Sequence, residues 1–408
     1  MGRIQEEGSM KTVFKNARII DGKGGLVENG FVGIEGNKIL QVGKGDPPIP
    51  LDGFETVNLE GLSILPGFID CHVHFRSDGV ANPRQQVLTD TDAVTTLRTA
   101  RNARRTLEAG ITTVRDCGSK NLIDFSFRRA VQEGICLAPR LVLSGKMICM
   151  TGGHGWPFGR EADGPDEVRK AAREILKAGA DNVKFMATGG IMTEGTETGS
   201  AQFTVEEMRA GIEEAQKAGK ITAAHAQGAT GIKNAIRAGI SSIEHGYFLD
   251  DEGIELMLER GVYLVATASA VRIVIEKGVK QGVPEYAVRK AKGALESHIS
   301  TFKRAYKAGV KMAMGTDAGN PYNNHGENLQ ELCHLVEMGL TPMEAVQVGT
   351  LNGARLLRLD HLIGSIEEGK LGDLVVFQGN PLDDVSLLSD SSQLKWVIQG
   401  GECVMKRD

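Results

Sequence analysis

Aromatic residues make up only 5% of this 408-residue chain, while glycine occurs 52 times, a balance that points to many tight loops between regular elements. Cysteine is equally sparing. The six, at positions 71, 117, 136, 149, 333 and 403, form no Cys-x-x-Cys pair and no dense framework, which excludes a thiolate zinc knuckle and a secreted disulfide scaffold. A reducing cytoplasm is the compartment this usage fits. No block of one charge sign is long enough to track a phosphate backbone. With 47 Lys and Arg against 52 Asp and Glu, a net charge of −5, neither nucleic acid nor an anionic membrane surface is an expected partner. Apolar runs are broken by Gly or a charge well before the roughly 18 residues a membrane span needs. The opening MGRIQEEGSMKTV lacks the apolar core of a signal peptide. Met10, following Gly8-Ser9, offers a second start, as behind a vector-derived leader, so residues 1–10 are left out of the fold argument. No Gly-x-Ser-x-Gly elbow and no phosphate-binding Walker loop occurs, which removes serine-hydrolase and nucleotide-dependent readings.

The chain does have two textures. Residues 11–65 read as short β-rich runs between Gly and Asp or Asn turns, as in TVFKNARIID and GFVGIEGNKILQVG, and residues 360–408 return to that pattern in GSIEEGKLGDLVVFQGNP and LKWVIQGGECVM. Between them, residues 66–359 alternate short apolar runs with helical stretches. Eight candidate strands follow in order: GFIDCHVHF, ITTVRDCG, RLVLSGKMI, NVKFMATGG, ITAAHAQ, SSIEHGY, VYLVATAS and VKMAMGTDAG. Four of the helices share the Ala-Gly ending of LEAGITTV, KAGADNVKF, RAGISSIEH and KAGVKMAMG, with a strand close behind. This repeated unit predicts a (β/α)8 TIM barrel of the α/β class, with a small β-sandwich domain formed from the N- and C-terminal segments and a site at the C-terminal ends of the barrel strands.

The candidate chemistry falls on those strand ends. In Asp70-Cys71-His72-Val73-His74, residues i and i+2 of a strand face one side, so His72 and His74 can share a cation while Cys71 points away. His225 closes strand five, His245 strand six and Asp317 strand eight. Taken singly, each is as well explained as a satisfied core polar residue. Together, four histidines and an aspartate on one rim suit zinc or a similar divalent ion. Lys184, between Val183 and Phe185 at the end of strand four, either turns elsewhere to pair with a carboxylate or has reacted with carbon dioxide to give an anionic carbamate able to bridge two metals.

With those residues in place, the sequence resembles the amidohydrolase superfamily in its binuclear form with a carboxylated lysine. The resemblance runs over nearly the whole chain, from NARIIDGKG through LPGFIDCHVH to GSIEEGKLGDLVVF. It implies that His72, His74, Asp317 and the Lys184 carbamate hold the more buried of two divalent ions, zinc the leading choice, and that His225, His245 and the same carbamate hold the other. It implies hydrolysis by a water made acidic between the metals, with Asp317 as general base. His154, in the glycine-rich Thr151–Pro157 loop after strand three, and Tyr247, two residues beyond His245, resemble the residues with which the prolidase-like branch, related to Xaa-Pro dipeptidases and imidazolonepropionases, holds a substrate carboxylate or its polarised carbonyl. The expected substrate is then a small molecule, an Xaa-Pro-like dipeptide or N-acyl amino acid with a free C-terminal carboxylate. Cyclic-amide, imidazolone or xenobiotic amide and carbamate hydrolysis is the alternative, and a non-catalytic scaffold barrel the reading from another class. A homo-oligomer is expected. The loop Gly319–His325 is expected to act as a lid or side-chain selector, with His325 at the surface; Arg272 reads as a surface helix-start residue, and His298, His334 and His361 as structural.

Overall fold

The computed structural model describes residues 11–48 and 53–407; the expectation about residues 1–10 lies outside them. Five strands open the fold: β1 (Lys11–Ile20), β2 (Leu26–Glu35), β3 (Lys38–Lys44), β4 (Glu55–Asn58) and β5 (Leu62–Pro66). The barrel strands follow: β6 (Phe68–Val73), β7 (Ile111–Asp116), β8 (Arg140–Leu143), β9 (Ile148–Cys149), a short β10 (Arg160–Glu161), β11 (Asn182–Met186), β12 (Ile221–Gly228), β13 (Ser242–Phe248), β14 (Tyr263–Val265) and β15 (Met312–Ala313). Three more, β16 (Leu374–Gln378), β17 (Leu394–Gln399) and β18 (Glu402–Lys406), end the chain.

The last three strands rejoin the first five. The order is β18-β17-β16-β5-β1-β2-β3, with β4 on β1, and β16 runs antiparallel to β5 with Val376 opposite Ile64. Leu374, Val375, Val376 and Phe377 are all fully buried, because a strand with both faces covered needs no polar side. Leu374 and Val376 join Phe14, Val32 and Ile64 in the core of the β-sandwich, while Val375 and Phe377 face the large core beneath the barrel helices. Asp373 pairs with Arg140 at the start of β8, 2.5 Å apart, and Gln399 donates to the Thr112 carbonyl near the start of β7. The small sheet therefore abuts the N-terminal strand ends and leaves the opposite mouth free. We propose the domain division accordingly: 11–65 with 360–408, and 66–359.

The barrel strands run parallel, β6-β7-β8 in one ladder and β9-β11-β12-β13-β14-β15 in another. The ring closes where Cys71 N–H donates to Met314 O, Asp317 N–H to His72 O and His74 N–H to Ala318 O, at 2.7–2.9 Å. The third strand is not the continuous RLVLSGKMI of the sequence reading. It breaks at Ser144–Met147, where Gly145 takes φ 64° and gives its N–H to Asp124; β8 pairs with β7, and Ile148 of β9 pairs with Phe185 of β11. Helices follow the strands, and those ending at Ala178 and Ala238 stop on Gly179 and Gly239 at φ 110° and 101°, the left-handed cap that the Ala-Gly cadence predicts.

Candidate active site

The six sequence-predicted rim residues converge at the C-terminal mouth. His74, His72, His245, His225 and His154 form a continuous series of imidazoles, with successive ring centroids 5.3, 5.1, 4.6 and 4.3 Å apart. Asp317 Oδ1 lies 3.5 Å from His72 Nε2 and 3.2 Å from His74 Nε2, and Lys184 Nζ lies 3.3 Å from His72 Nε2. All line one cavity, together with Tyr247 and with Met147, Met186, Ile191, Val271 and Pro321.

Backbone distortions aim two of these groups. On β13, Ser242 and Glu244 both meet Arg115 inside the barrel, while Ile243 packs outward. Strict alternation would leave His245 on the outer face with Ile243. Its φ of 75°, followed by Gly246 at 63°, breaks the pleat and turns the imidazole inward. Asp317, at φ 60°, departs from β15 in the same way. Such conformations cost about 1–3 kcal/mol each and persist only where surrounding structure imposes them.

Hydrogen bonds then assign the tautomers. His72 Nδ1–H donates to Glu244 Oε2 at 2.7 Å, which leaves Nε2 a lone pair facing the cavity. The Thr267 hydroxyl donates to Ala266 O, so it accepts from His245 Nδ1–H at 2.7 Å and again frees Nε2. Burial holds His72 down to about 4 and His154 to about 3, and puts His74, His225 and His245 well below the ordinary imidazole value. All five are thus neutral near pH 7 and available as donors. Burial raises the Tyr247 phenol, which stays protonated and able to donate, and it raises the Asp317 carboxyl as well.

Beneath the histidines lies a charged layer that the sequence reading missed. Arg115, fully buried, donates to Cys71 O, Ser242 Oγ and Glu244 Oε1. Burial pushes Glu244 up, but Arg115 and His72 outweigh it and hold the carboxyl at about 2, so a permanent anion orients His72. Asp70 accepts from His72 N, Thr316 N, Thr316 Oγ1 and Asn328 Nδ2, tying β6 to the chain beyond β15. Cys117 borders the same layer, its thiol raised to about 11 by burial. The available signal was a charged residue inside an apolar strand, as in TTVRD and SSIEH.

His154 is positioned by Gln202 Oε1 on its N–H and by Thr193 Oγ1 2.7 Å from its Nδ1. Its ring lies against Gly190, where a Cβ would come within 2.5 Å of two ring atoms. Cys71 points away from the cluster toward Gly353, as strand alternation predicts. His325 is a correction. It is buried, not at the surface, and its Nε2 bridges the His74 and Ser77 carbonyls because the loop after β15 folds back across β6. From that loop Asn320 and Pro321 line the cavity. Arg272 pairs with Glu337 outside it, while His298, buried, packs against Tyr247 with centroids 4.6 Å apart and the rings tilted by 51°.

The donor set fits divalent metal. His225 Nε2 and Asp317 Oδ1 are buried without hydrogen-bond partners, and ligand atoms of His72, His74 and Asp317 all lie within 4.8 Å of one another. Nitrogen and oxygen donors of this kind suit zinc and its neighbours. Lys184 is 1% exposed and has no carboxylate within ion-pair distance among the described residues.

A (β/α)8 barrel with such a cluster at its C-terminal rim defines a class of enzymes whose chemistry sits on the strand ends. The chain belongs to the amidohydrolase family, whose sequence profile matches residues 63–404. Ochratoxinase of Aspergillus niger is 32% identical over 367 residues, 83% of this chain and 75% of that protein. Among solved structures, a Xaa-Pro dipeptidase with bound methionine superposes with a TM-score of 0.90 at 36% identity, over 97% of this chain and 100% of the other. A prolidase complexed with N-methylphosphonate-L-proline gives 0.90 at 30%, over 98% and 100%. The protein is a metal-dependent hydrolase of C–N bonds in the prolidase-like branch of the family. No helix among the described residues is long and apolar enough to cross a membrane.

Proposed function

We propose that the protein hydrolyses the amide bond of dipeptides, Xaa-Pro-like ones foremost, or of N-acyl amino acids that keep a free C-terminal carboxylate. The observation that carries this reading is the convergence of five neutral imidazoles, Asp317 and Lys184 on one cavity with an apolar wall. His72, His74, Asp317 and a carbamate on Lys184 would hold one divalent ion, zinc the first choice, and His225, His245 and the same carbamate a second. When bound, such a pair acidifies a water and polarises the scissile carbonyl. Asp317 takes the proton from the attacking water and passes it to the departing nitrogen as the C–N bond breaks. His154, held by Thr193 and Gln202, steadies the oxygen on which charge develops, and the Tyr247 phenol donates to the substrate carboxylate. Met186, Ile191 and Val271 exclude water and receive the side chains. The six free cysteines agree with a reducing cytoplasm.

The test is release of amino acid from a library of dipeptides and N-acyl amino acids, using protein expressed with zinc and bicarbonate and a chelator-treated control. Chelator-sensitive hydrolysis confined to compounds with a free carboxylate is the expected result. Silence across the library with two metals still bound would overturn it and favour a second reading, a xenobiotic amidase, to which the apolar wall is also suited.

A further inference from the structure

Two guanidinium groups line the cavity without a carboxylate partner among the described residues, those of Arg76 and Arg84. Elsewhere the partly or fully buried arginines are paired: Arg98 with Asp78 and Asp90, Arg115 with Glu244, Arg128 with Asp181 and Arg140 with Asp373. Arg76 lies three residues beyond the end of β6. Its Nη1 meets the Gly118 carbonyl and lies 2.7 Å from His74 Nδ1, its Nε is buried with no hydrogen-bond partner, and its Cζ stands 5.0 Å over the Phe158 ring. Arg84, in the first turn of the next helix, stands 5.6 Å over Trp156. Trp156 and Phe158 flank Pro157, so one short segment backs both cations with aromatic faces. A cation–π contact of this kind helps to hold a guanidinium, and the unpartnered Nε–H of Arg76 remains for an anion. A partly desolvated, unpaired cation is costly until an anion joins it.

We infer that Arg76 and Arg84 form an anion subsite for the acyl half of the substrate, which therefore bears an acidic group there: an N-terminal Asp or Glu side chain, or the second carboxylate of a dicarboxylic acyl chain. The inference rests on the amide-hydrolase reading above for its orientation. Tyr247 lies on β13 and the loop of Arg76 leaves β6, with β14 and β15 between them around the ring. A substrate whose terminal carboxylate is at Tyr247 thus turns its other end toward the arginines.

The experiment compares isosteric pairs, Glu-Xaa with Gln-Xaa dipeptides and N-glutaryl with N-(4-carbamoylbutanoyl) amino acids, in the wild type, Arg84→Met and Arg76→Met. Calorimetric binding of glutarate and of its monoamide to the zinc-loaded proteins runs alongside, with metal content measured for each. The acidic member is expected to have a kcat/KM about tenfold or more above its amide, the range of a charge-assisted hydrogen bond. In Arg84→Met that ratio should fall toward one, and glutarate should bind about tenfold more weakly. Arg84 touches no candidate metal ligand, so it decides the matter if Arg76→Met disturbs His74 and its metal. Equal rates for acid and amide in the wild type, or a ratio unchanged in both variants, would overturn the subsite and leave the hydrolase reading intact. Arg84-dependent binding of glutarate without hydrolysis of any pair would do the reverse.

Discussion

Replacing Gly190 by alanine adds one carbon and two hydrogens to the chain, yet it should disable the site. A Cβ at this position lies 2.5 Å from Cε1 and Nε2 of His154 and 2.8 Å from its Cδ2. The backbone itself accepts alanine, since Gly190 is not in the left-handed region. Ordinary contact begins at 3.4 Å, so the imidazole must retreat by about 0.9 Å. It cannot do so and keep both its 2.7 Å bond to Thr193 Oγ1 and its packing on His225. A displacement of about 1 Å of a catalytic group costs on the order of 100-fold in rate, whereas overpacking of this size costs only about 1–3 kcal/mol in stability. The assay is kcat/KM on the best library substrate, with metal content and Tm measured on the same preparation. A fall of about 100-fold with both metals retained is expected. The cycle with His154→Asn gives the mechanism: the shorter amide makes room for the new methyl, so Gly190→Ala should change little in that background. Full activity in Gly190→Ala, or additive losses in the double variant, would refute the claim that the glycine acts through His154.

Three further outcomes follow from the same geometry. In Glu244→Gln, the amide nitrogen facing His72 would donate to Nδ1 and drive the proton onto Nε2, while Arg115 loses its counter-charge; metal affinity should drop about 10–100-fold and stability by about 3 kcal/mol, read by metal titration and thermal unfolding. Lys184→Ala should lose metal and activity together, and a variant with full metal and full turnover would rule out a bridging carbamate. Glu214, hydrogen-bonded to Arg173 with Lys217 and Arg169 beside it, has its carboxyl lowered to about 2. Its folded value lies below the unfolded one, so its contribution is complete above about pH 4.5 and is lost as pH falls toward 2. Glu214→Gln should therefore cost about 1 kcal/mol at pH 7 and nothing near pH 2, and a deficit that persists in acid would mean the side chain acts through packing.

How much of this was legible in the sequence depends on whether the relevant distance runs along the chain or across the barrel. The repeated strand-helix unit, the helix-ending glycines and the placement of His72, His74, Lys184, His225, His245 and Asp317 on strand ends are local, and all of them stand in the structure. The Arg115–Glu244 pair joins β7 to β13, 129 residues apart, and no periodicity brings those two together. His325 looked like a surface residue because the return of its loop across β6 is a tertiary event. The break of the third strand hid behind an apolar run that a buried strand and a buried bend share.

The agreement at His245 was reached without its cause. A regular pleat continued through Ile243 and Glu244 would turn the ring away from the site. What brings it inward is the left-handed turn at His245 and Gly246, with Thr267, itself at φ 53°, holding Nδ1. His245 and Asp317, which line the cavity, and Thr267, which holds His245 from behind, are three non-glycine residues in a disfavoured conformation. A fold selected for stability alone would relax them by exchange for glycine or asparagine. Their persistence here is the mark of a site in which side-chain direction outweighs backbone comfort. It also explains why strand alternation, sound at His72, His74 and Lys184 and in the core of β13, fails at His245.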